Sequence, residues 1–270
     1  MKHHYRDMTW PEVNEAVEAR RVVVIPVGAI EQHGPHLPID TDNLAVERVA
    51  DEAARRANDV IVCAPIIHYG FNEHNMDFPG TISIDIETLT EFAVQVGHSF
   101  ARQGFRRIVY LNGHGSNSPV YNLVARRVTN KGDALAASID WWMLAWPTVK
   151  EVCEGFPESV DHACEWETSV YQHLRPELVD QAAIRDEVAL EKGGPSWLYP
   201  NVAGGVSVHF MNTWSRMSDS GVNGRPSLAT AAKGKAIVEA AIDALVNVAR
   251  EFRDMPLRPR TVLTRTIPRP

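Results

Sequence analysis

Nine consecutive residues, Val22-Val23-Val24-Ile25-Pro26-Val27-Gly28-Ala29-Ile30, are apolar or small, and the run stops abruptly at Glu31-Gln32-His33-Gly34-Pro35-His36. A short uninterrupted apolar run reads as a strand buried on both faces, which places the acids and imidazoles at its C-terminal end. Leu44, Val46, Val49, Ala50 and Ala53 then recur at helical spacing among Glu47, Arg48, Asp51 and Arg55, predicting an amphipathic helix from Leu44 to Arg56. Val60 to Ile67 predicts a second buried strand and Ile86 to Gly104 a helix ended by its glycine. Arg107 to Leu111 reads as a third strand, Ser118 to Lys131 as a helix, and Ala134 to Ile139 as a fourth strand. A helix follows from Asp161 to His173, a possible edge strand from Val206 to Phe210, and a long final helix from about Leu228 to Phe252. Strands alternating with helices predict an α/β fold, a three-layer α/β/α arrangement around a central, mainly parallel sheet. Between the second strand and its helix, Tyr69 to Ser83 is longer than a tight connection needs, and loops of that length are often functional or disordered.

Composition narrows the classes of function. A chain of 270 residues can bury one sizeable core, so a single domain over residues 1–270 is expected. The formal charge of -7 comes without clustered Lys and Arg, which argues against a nucleic-acid surface. The basic tail, Arg258, Arg260, Arg265 and Arg269 among prolines, reads as an extended arm over the surface or over a neighbouring subunit. Cys63, Cys153 and Cys164 are far apart and odd in number, so no disulfide framework or Cys-x-x-Cys zinc site is expected and a reducing cytoplasm is the default. No segment approaches the roughly 18 uninterrupted apolar residues of a membrane span.

In open α/β sheets ligands bind beyond the C-terminal strand ends. Glu31 and His33 alternate there, and Asp42 returns just before the first helix, so two carboxylates and an imidazole can supply much of a divalent-metal shell. The competing reading has Asp40, Thr41 or Asp42 merely capping that helix. His114, in Asn112-Gly113-His114-Gly115-Ser116-Asn117, ends another strand between glycines that permit close approach to a bound group. The third cluster is Asp161-His162-Ala163-Cys164-Glu165-Trp166-Glu167-Thr168-Ser169. On one helix His162 and Glu165 would share a face at i, i+3, and Glu167 would point elsewhere. Five mixed oxygen and nitrogen donors, Glu31, His33, Asp42, His114 and an acid of the third cluster, exceed what one open tetrahedral zinc uses and suit two ions sharing a carboxylate. No glycine-rich phosphate loop and no Gly-x-Ser-x-Gly elbow occurs. Trp141, Trp142 and Trp146 either line a pocket mouth or cover the sheet edge, and His3, His4, His98 and His173 read as exposed or structural.

Glu31-Gln32-His33-Gly34-Pro35-His36-Leu37-Pro38 with Asp42 soon after, Phe78-Pro79-Gly80-Thr81, Asn112-Gly113-His114-Gly115, His162-Ala163-Cys164-Glu165-Trp166-Glu167-Thr168-Ser169, and Gly221-Val222 through Pro226 to Thr230 together resemble the creatininase (creatinine amidohydrolase) family from about Pro26 to Lys235. The resemblance implies a largely parallel α/β fold, two divalent ions of zinc, manganese or iron, hydrolysis of a carbon–nitrogen bond, and a homohexamer. It implies Glu31, His33 and His114 as ligands, Asp42 as the bridge and His162 at the substrate. Two positions depart from the pattern. The family's glutamate two residues past the Asn-Gly-His histidine is Ser116 here, with Glu165 expected as the replacement ligand and Glu167 as a supporting or alternative one. The family's substrate-covering tryptophan is replaced by Pro157, Glu158, Ser159 and Val160, which argues against creatinine itself.

The expected activity is therefore metal-dependent amidohydrolysis of a small cyclic or linear amide. A metal-bridging hydroxide attacks the carbonyl, and His162, with Glu167, handles the proton. His74 and Asn75 of the long loop, whose polar residues also include Glu73 and Asp77, are expected at the substrate with Ser116 and Asn117. A metal-dependent lyase or isomerase, or a non-catalytic binding protein on the same fold, are the alternatives.

Overall fold

The computed structural model describes residues 1–157, 159–189 and 211–259. Strand β1 (Val22–Val27) is wholly buried and divides its side chains between two cores. Val22 and Val24 face a cluster with α2 (Thr41–Arg56), α7 (Glu165–Leu174) and α8 (Ala231–Asp254). Val23, Ile25 and Val27 face the opposite cluster with α3 (Ile86–Arg102) and α4 (Ser118–Lys131). Two-sided burial is why the sequence shows a continuous apolar run instead of alternation. Strand β3 (Arg107–Asn112) repeats the division, with Val109 and Leu111 on one side and Ile108 and Tyr110 on the other. The layers are thus helix, sheet and helix.

With β2 (Ile61–Cys63) and β4 (Leu135–Asp140) the sheet has the order β2-β1-β3-β4, every neighbour parallel. The chain leaves β1 through α2 on one face, returns through α3 on the other, and enters β3 on the far side of β1. The strand order therefore reverses between β1 and β3, and the crevice beyond their C-terminal ends is where such sheets bind ligands.

Strand β2 is shorter than the expected Val60 to Ile67. Its ladder with β1 ends at Val24 and Cys63, beyond which Pro26 and Pro65 lack the N–H groups that would continue it. The chains rejoin at an isolated bridge between Val27 and Ile67. A helix absent from the expectations, α1 (Trp10–Glu18), begins in a capping box in which the Glu12 carboxylate accepts from the Thr9 backbone N–H at 2.7 Å.

The expected helix from Asp161 to His173 is two elements. Val160–His162 is strand β5, paired antiparallel with β6 (Asn223–Gly224), and Ala163 turns the chain with φ +50° before α7 begins at Glu165. Trp141 and Trp142 in the short helix α5 (Trp141–Leu144), and Trp146 at the start of α6 (Trp146–Val152), are buried in the first core, and Trp141 and Trp142 pack on Trp166. They cover the sheet. Arg258 is exposed; Val206 to Phe210 and Arg260, Arg265 and Arg269 lie outside the described residues.

Candidate metal centre

The reversal point gathers the acids and imidazoles that the sequence singles out. Glu31 and His33 follow β1, Asp42 stands in the first turn of α2, and His114 follows β3; each is at most 5 % exposed. Gly113 sets the spacing, because a Cβ there would lie 2.8 Å from the Asp42 carbonyl oxygen. Only a glycine lets the exit of β3 press against the first turn of α2 and so bring His114 to Asp42.

Both histidines are oriented from behind. The Nδ1 of His33 lies 3.2 Å from the Glu31 carbonyl, and the Nε2 of His114 lies 3.2 Å from the Phe71 carbonyl. A carbonyl only accepts, so each outer nitrogen carries a proton and each inner nitrogen faces the site, as in metal-ligating histidines. His33 Nε2 is 3.3 Å from Asp42 Oδ1 and 3.9 Å from Glu167 Oε1. His114 Nδ1 is 3.1 Å from Asp42 Oδ2 and 2.9 Å from Glu31 Oε2. The two oxygens of Asp42 are therefore divided between two imidazoles. Buried among these groups, His33 Nε2, Asp42 Oδ2 and Glu167 Oε2 have no hydrogen-bond partner. Unspent donor atoms of this kind, converging in a buried crevice, fit divalent cations.

Electrostatics describe the same arrangement. Burial would raise the Glu31 carboxyl, but His114, His162 and His33 hold it well below the usual range. Burial would lower His33, and Asp42 and Glu167 instead raise it well above an ordinary imidazole; Glu31 and Asp42 likewise overcome burial at His114 and raise it to about 10. The carboxylates that face the inner nitrogens thus favour positive charge at both of them.

Glu165 is not part of this cluster, contrary to the expectation. It starts α7 fully buried, and its carboxylate accepts from the backbone N–H groups of Glu154 (3.0 Å) and Gly155 (2.9 Å) and from Lys233 Nζ (2.7 Å). Glu167, two residues on and about 200° round the helix, is the acid of α7 that faces the site. The supposed i, i+3 pairing of His162 with Glu165 fails because His162 lies in β5.

His162 does reach the site. Its ring is 4.3 Å from that of His33, and its Nε2 donates to the Gln32 carbonyl at 2.7 Å. Gln32 directs its own amide hydrogens to Asn75 Oδ1 and the Gly221 carbonyl, both at 3.1 Å. Nδ1 of His162 is left as the basic nitrogen, and burial lowers the affinity of the ring for a second proton.

The long loop from Tyr69 to Ser83 is ordered over the site by Asn72, which takes Ser83 Oγ at 2.9 Å and the Ile82 carbonyl at 2.8 Å. His74 Nε2 lies 3.1 Å from Ser116 Oγ, and Asn75 Nδ2 donates to Glu31 Oε1. Asn75 thus holds a candidate ligand. Asn117 is a correction: fully buried, it accepts from Phe71 N–H at 3.0 Å and donates to the Gly28 carbonyl at 3.1 Å, so it braces the loop and has no exposed surface to offer a substrate.

Sequence reasoning missed Trp214. This buried side chain lies 4.8 Å from the His162 ring and 6.5 Å from that of His74, so a tryptophan covers the site although none stands just before His162. Nothing in its local pattern points to that place, which depends on the pairing of β5 with β6. His3 and His4, expected to be exposed or structural, both face Asp51 Oδ1, at 3.2 and 2.9 Å.

A pH dependence follows from His36, whose Nε2 pairs with Thr168 Oγ1 at 2.9 Å. Burial, and then the charges of His33 and His162, lower it from 6.5 to about 4. Between those values the unfolded chain binds the proton and the folded one does not, so this group lowers stability as pH falls through 6.5 and stops doing so below about 4. In denaturant titrations of the metal-free protein, His36→Gln should flatten the loss between these limits; an unchanged profile would show that His36 titrates normally.

Comparison with known proteins agrees with this geometry. The family model described as "Creatinine amidohydrolase" matches residues 6–249. The mycofactocin precursor peptide peptidase of Mycobacterium tuberculosis is 35% identical over 250 residues, covering 90% of this chain and 88% of that protein. A 3-dehydro-scyllo-inosose hydrolase of Thermotoga maritima is 29% identical over 93% of this chain and 84% of its own. Among solved structures, a mutant creatininase complexed with creatine superposes with a TM-score of 0.75 at 26% identity, covering 94% of this chain and all of that one, and others are a Zn-Zn form and a manganese form. Motifs, strand order and match over nearly the whole length agree: this chain belongs to the creatininase family.

Proposed function

We propose that this protein is a two-metal amidohydrolase that cleaves a carbon–nitrogen bond of a small cyclic or linear amide other than creatinine. One observation carries the reading: the two Asp42 oxygens face the inner nitrogens of His33 and His114, each anchored from behind by a carbonyl. In this reading Glu31, Asp42 and His114 hold one ion, and His33, Asp42 and Glu167 hold the other. Bound divalent ions supply a water acidified toward neutrality and a Lewis acid for the carbonyl oxygen.

The chain contributes position and proton transfer. Gln32 fixes the His162 tautomer, so Nδ1 is the atom that takes up a proton and returns it to the leaving nitrogen. Trp214 packs on the His162 ring and keeps solvent from that side of it. Asn75 and Gln32 connect the loop to Glu31 and to Gly221, so the walls of the crevice share one hydrogen-bond network. The identity of the relatives supports an amide substrate, and the different provenance of the covering tryptophan supports one unlike creatinine.

The family reading extends to a homohexamer in the cytoplasm, consistent with three buried, unpaired cysteines and with no described helix long and apolar enough to cross a membrane; sedimentation tests the assembly. Elemental analysis of protein prepared without chelator, with rates on hydantoins, formamides, short peptides and creatinine, tests the activity. The expected result is close to two ions per chain and chelator-sensitive release of amine from a substrate other than creatinine. No ion, or no hydrolysis after addition of zinc, manganese or iron, overturns it.

A further inference from the structure

From the position of His74 we infer that its imidazole is a ligand of the ion held by Glu31, Asp42 and His114, an inference that rests on the two-metal reading above. His74 comes from the short turn Glu73–Asn75 of the long loop, and its side chain is 8% exposed. Its Nε2 lies 3.7 Å from Glu31 Oε1, and its ring stacks on that of His114 at 5.9 Å with 27° between planes. Donor atoms of Glu31, His74 and His114 all lie within 4.8 Å of one another. Donors about 2.1 Å from a common ion sit roughly 3 to 4 Å apart, so a third donor in this position belongs to the same shell.

The surroundings argue for coordination over substrate contact. Outside the cluster, Ser116 Oγ lies 3.1 Å from His74 Nε2 and 3.4 Å from Nδ1. A hydroxyl, which both donates and accepts and can rotate, yields that nitrogen to a cation more readily than a fixed carboxylate would. The turn is also registered against the site from both sides: Asn75 donates to Glu31 and accepts from Gln32, and Asp77 accepts from Ser215 beside Trp214. A residue carried by so constrained a turn has the fixed orientation that a ligand needs. With His74 included, each ion has at least three protein donors, and the first has two imidazoles and two carboxylates.

The loop over the site therefore binds the ion as well as bordering the substrate. Metal affinity and loop position become coupled, because displacing the Glu73–Asn75 turn withdraws a ligand.

The experiment measures metal stoichiometry and affinity of the full chain by competition with a chromophoric chelator, using zinc, for wild type, His74→Ala, Ser116→Ala and the double variant His74→Ala/Ser116→Glu. His74→Ala is expected to keep one tight ion and to weaken the other roughly 100-fold or more, above the 10–100-fold typical of groups that only orient a ligand. Ser116→Ala is expected to change neither ion. The double variant is expected to regain the second, because a carboxylate at 116 reaches the space left by His74. Independently of folding of any variant, the cobalt-substituted wild type is expected to show three paramagnetically shifted imidazole N–H resonances, from His33, His74 and His114. Two tight ions in His74→Ala, or only two shifted resonances in the wild type, overturn the inference and leave the two-metal reading standing. A wild type that never binds two ions overturns that reading itself.

Discussion

Asp42→Ala should lose both ions and reduce kcat/KM by at least about 1000-fold, equivalent to about 4 kcal/mol of transition-state stabilisation. The two Asp42 oxygens are divided between the two imidazoles, 3.3 Å from His33 Nε2 and 3.1 Å from His114 Nδ1. Removing Glu31 or Glu167 takes away an oxygen donor on one side, whereas removing Asp42 takes the shared one. The fold should survive, because Asp42 sits in the first turn of α2 while that helix is held by Val46, Val49, Ala50 and Ala53 in the core. Metal content by elemental analysis, with far-ultraviolet circular dichroism as the control for folding, decides it. A folded Asp42→Ala protein that still carries two ions would show that the carboxylate does not bridge.

Glu165→Ala should have the opposite profile, with metal content retained and stability lost. Its carboxylate is fully buried and satisfied by two backbone N–H groups and Lys233, so truncation leaves the two amides without an acceptor and takes one of three partners from Lys233, which keeps Glu154 and the Leu228 carbonyl. Leaving two buried amides unsatisfied, at about 1–3 kcal/mol each, together with the lost ion-pair contact, costs about 3–5 kcal/mol. At roughly 2 °C of Tm for each kcal/mol in a chain of this size, the melting temperature should fall by about 6–10 °C. The same contacts join α7 to α8 and to the segment leaving α6, so the loss should be global and visible in chemical denaturation. If Glu165→Ala lost an ion at unaltered Tm, the assignment of Glu167 in its place would be wrong.

The contrast between these two carboxylates shows which parts of the structure were legible in the sequence. Glu31, His33, Asp42 and His114 follow apolar runs or precede helices whose periodicity is local, so their gathering at the strand ends could be read from pattern and topology rules alone. The helix expected at about Ser118 to Lys131 was legible, with Pro119 in its first turn and Gly132 just past its end. Glu165 and Glu167 were exchanged because Asp161 to His173 looks like one helix locally. What breaks it is β5, which exists only because Val160 and His162 pair with Gly224 and Asn223, some sixty residues away in the chain. Starting the helix at Glu165 instead of Asp161 rotates every later side chain relative to His162. Trp214 was invisible for the same reason, and Asn117 was misplaced because its loop position says nothing of the carbonyl of Gly28 and the amide of Phe71 that take up its side chain.

The anchored histidines carry a thermodynamic consequence. The neighbouring carboxylates raise the affinity of the inner nitrogens of His33 and His114 for protons, the same atoms that face the centre. Loading the centre is therefore an exchange of dications for protons, and the apparent affinity for ions rises with pH instead of being a fixed property of the protein. The heat of binding will include the ionisation heat of whichever buffer receives those protons, and acidification will act as a competitor for the metal well before it threatens the fold.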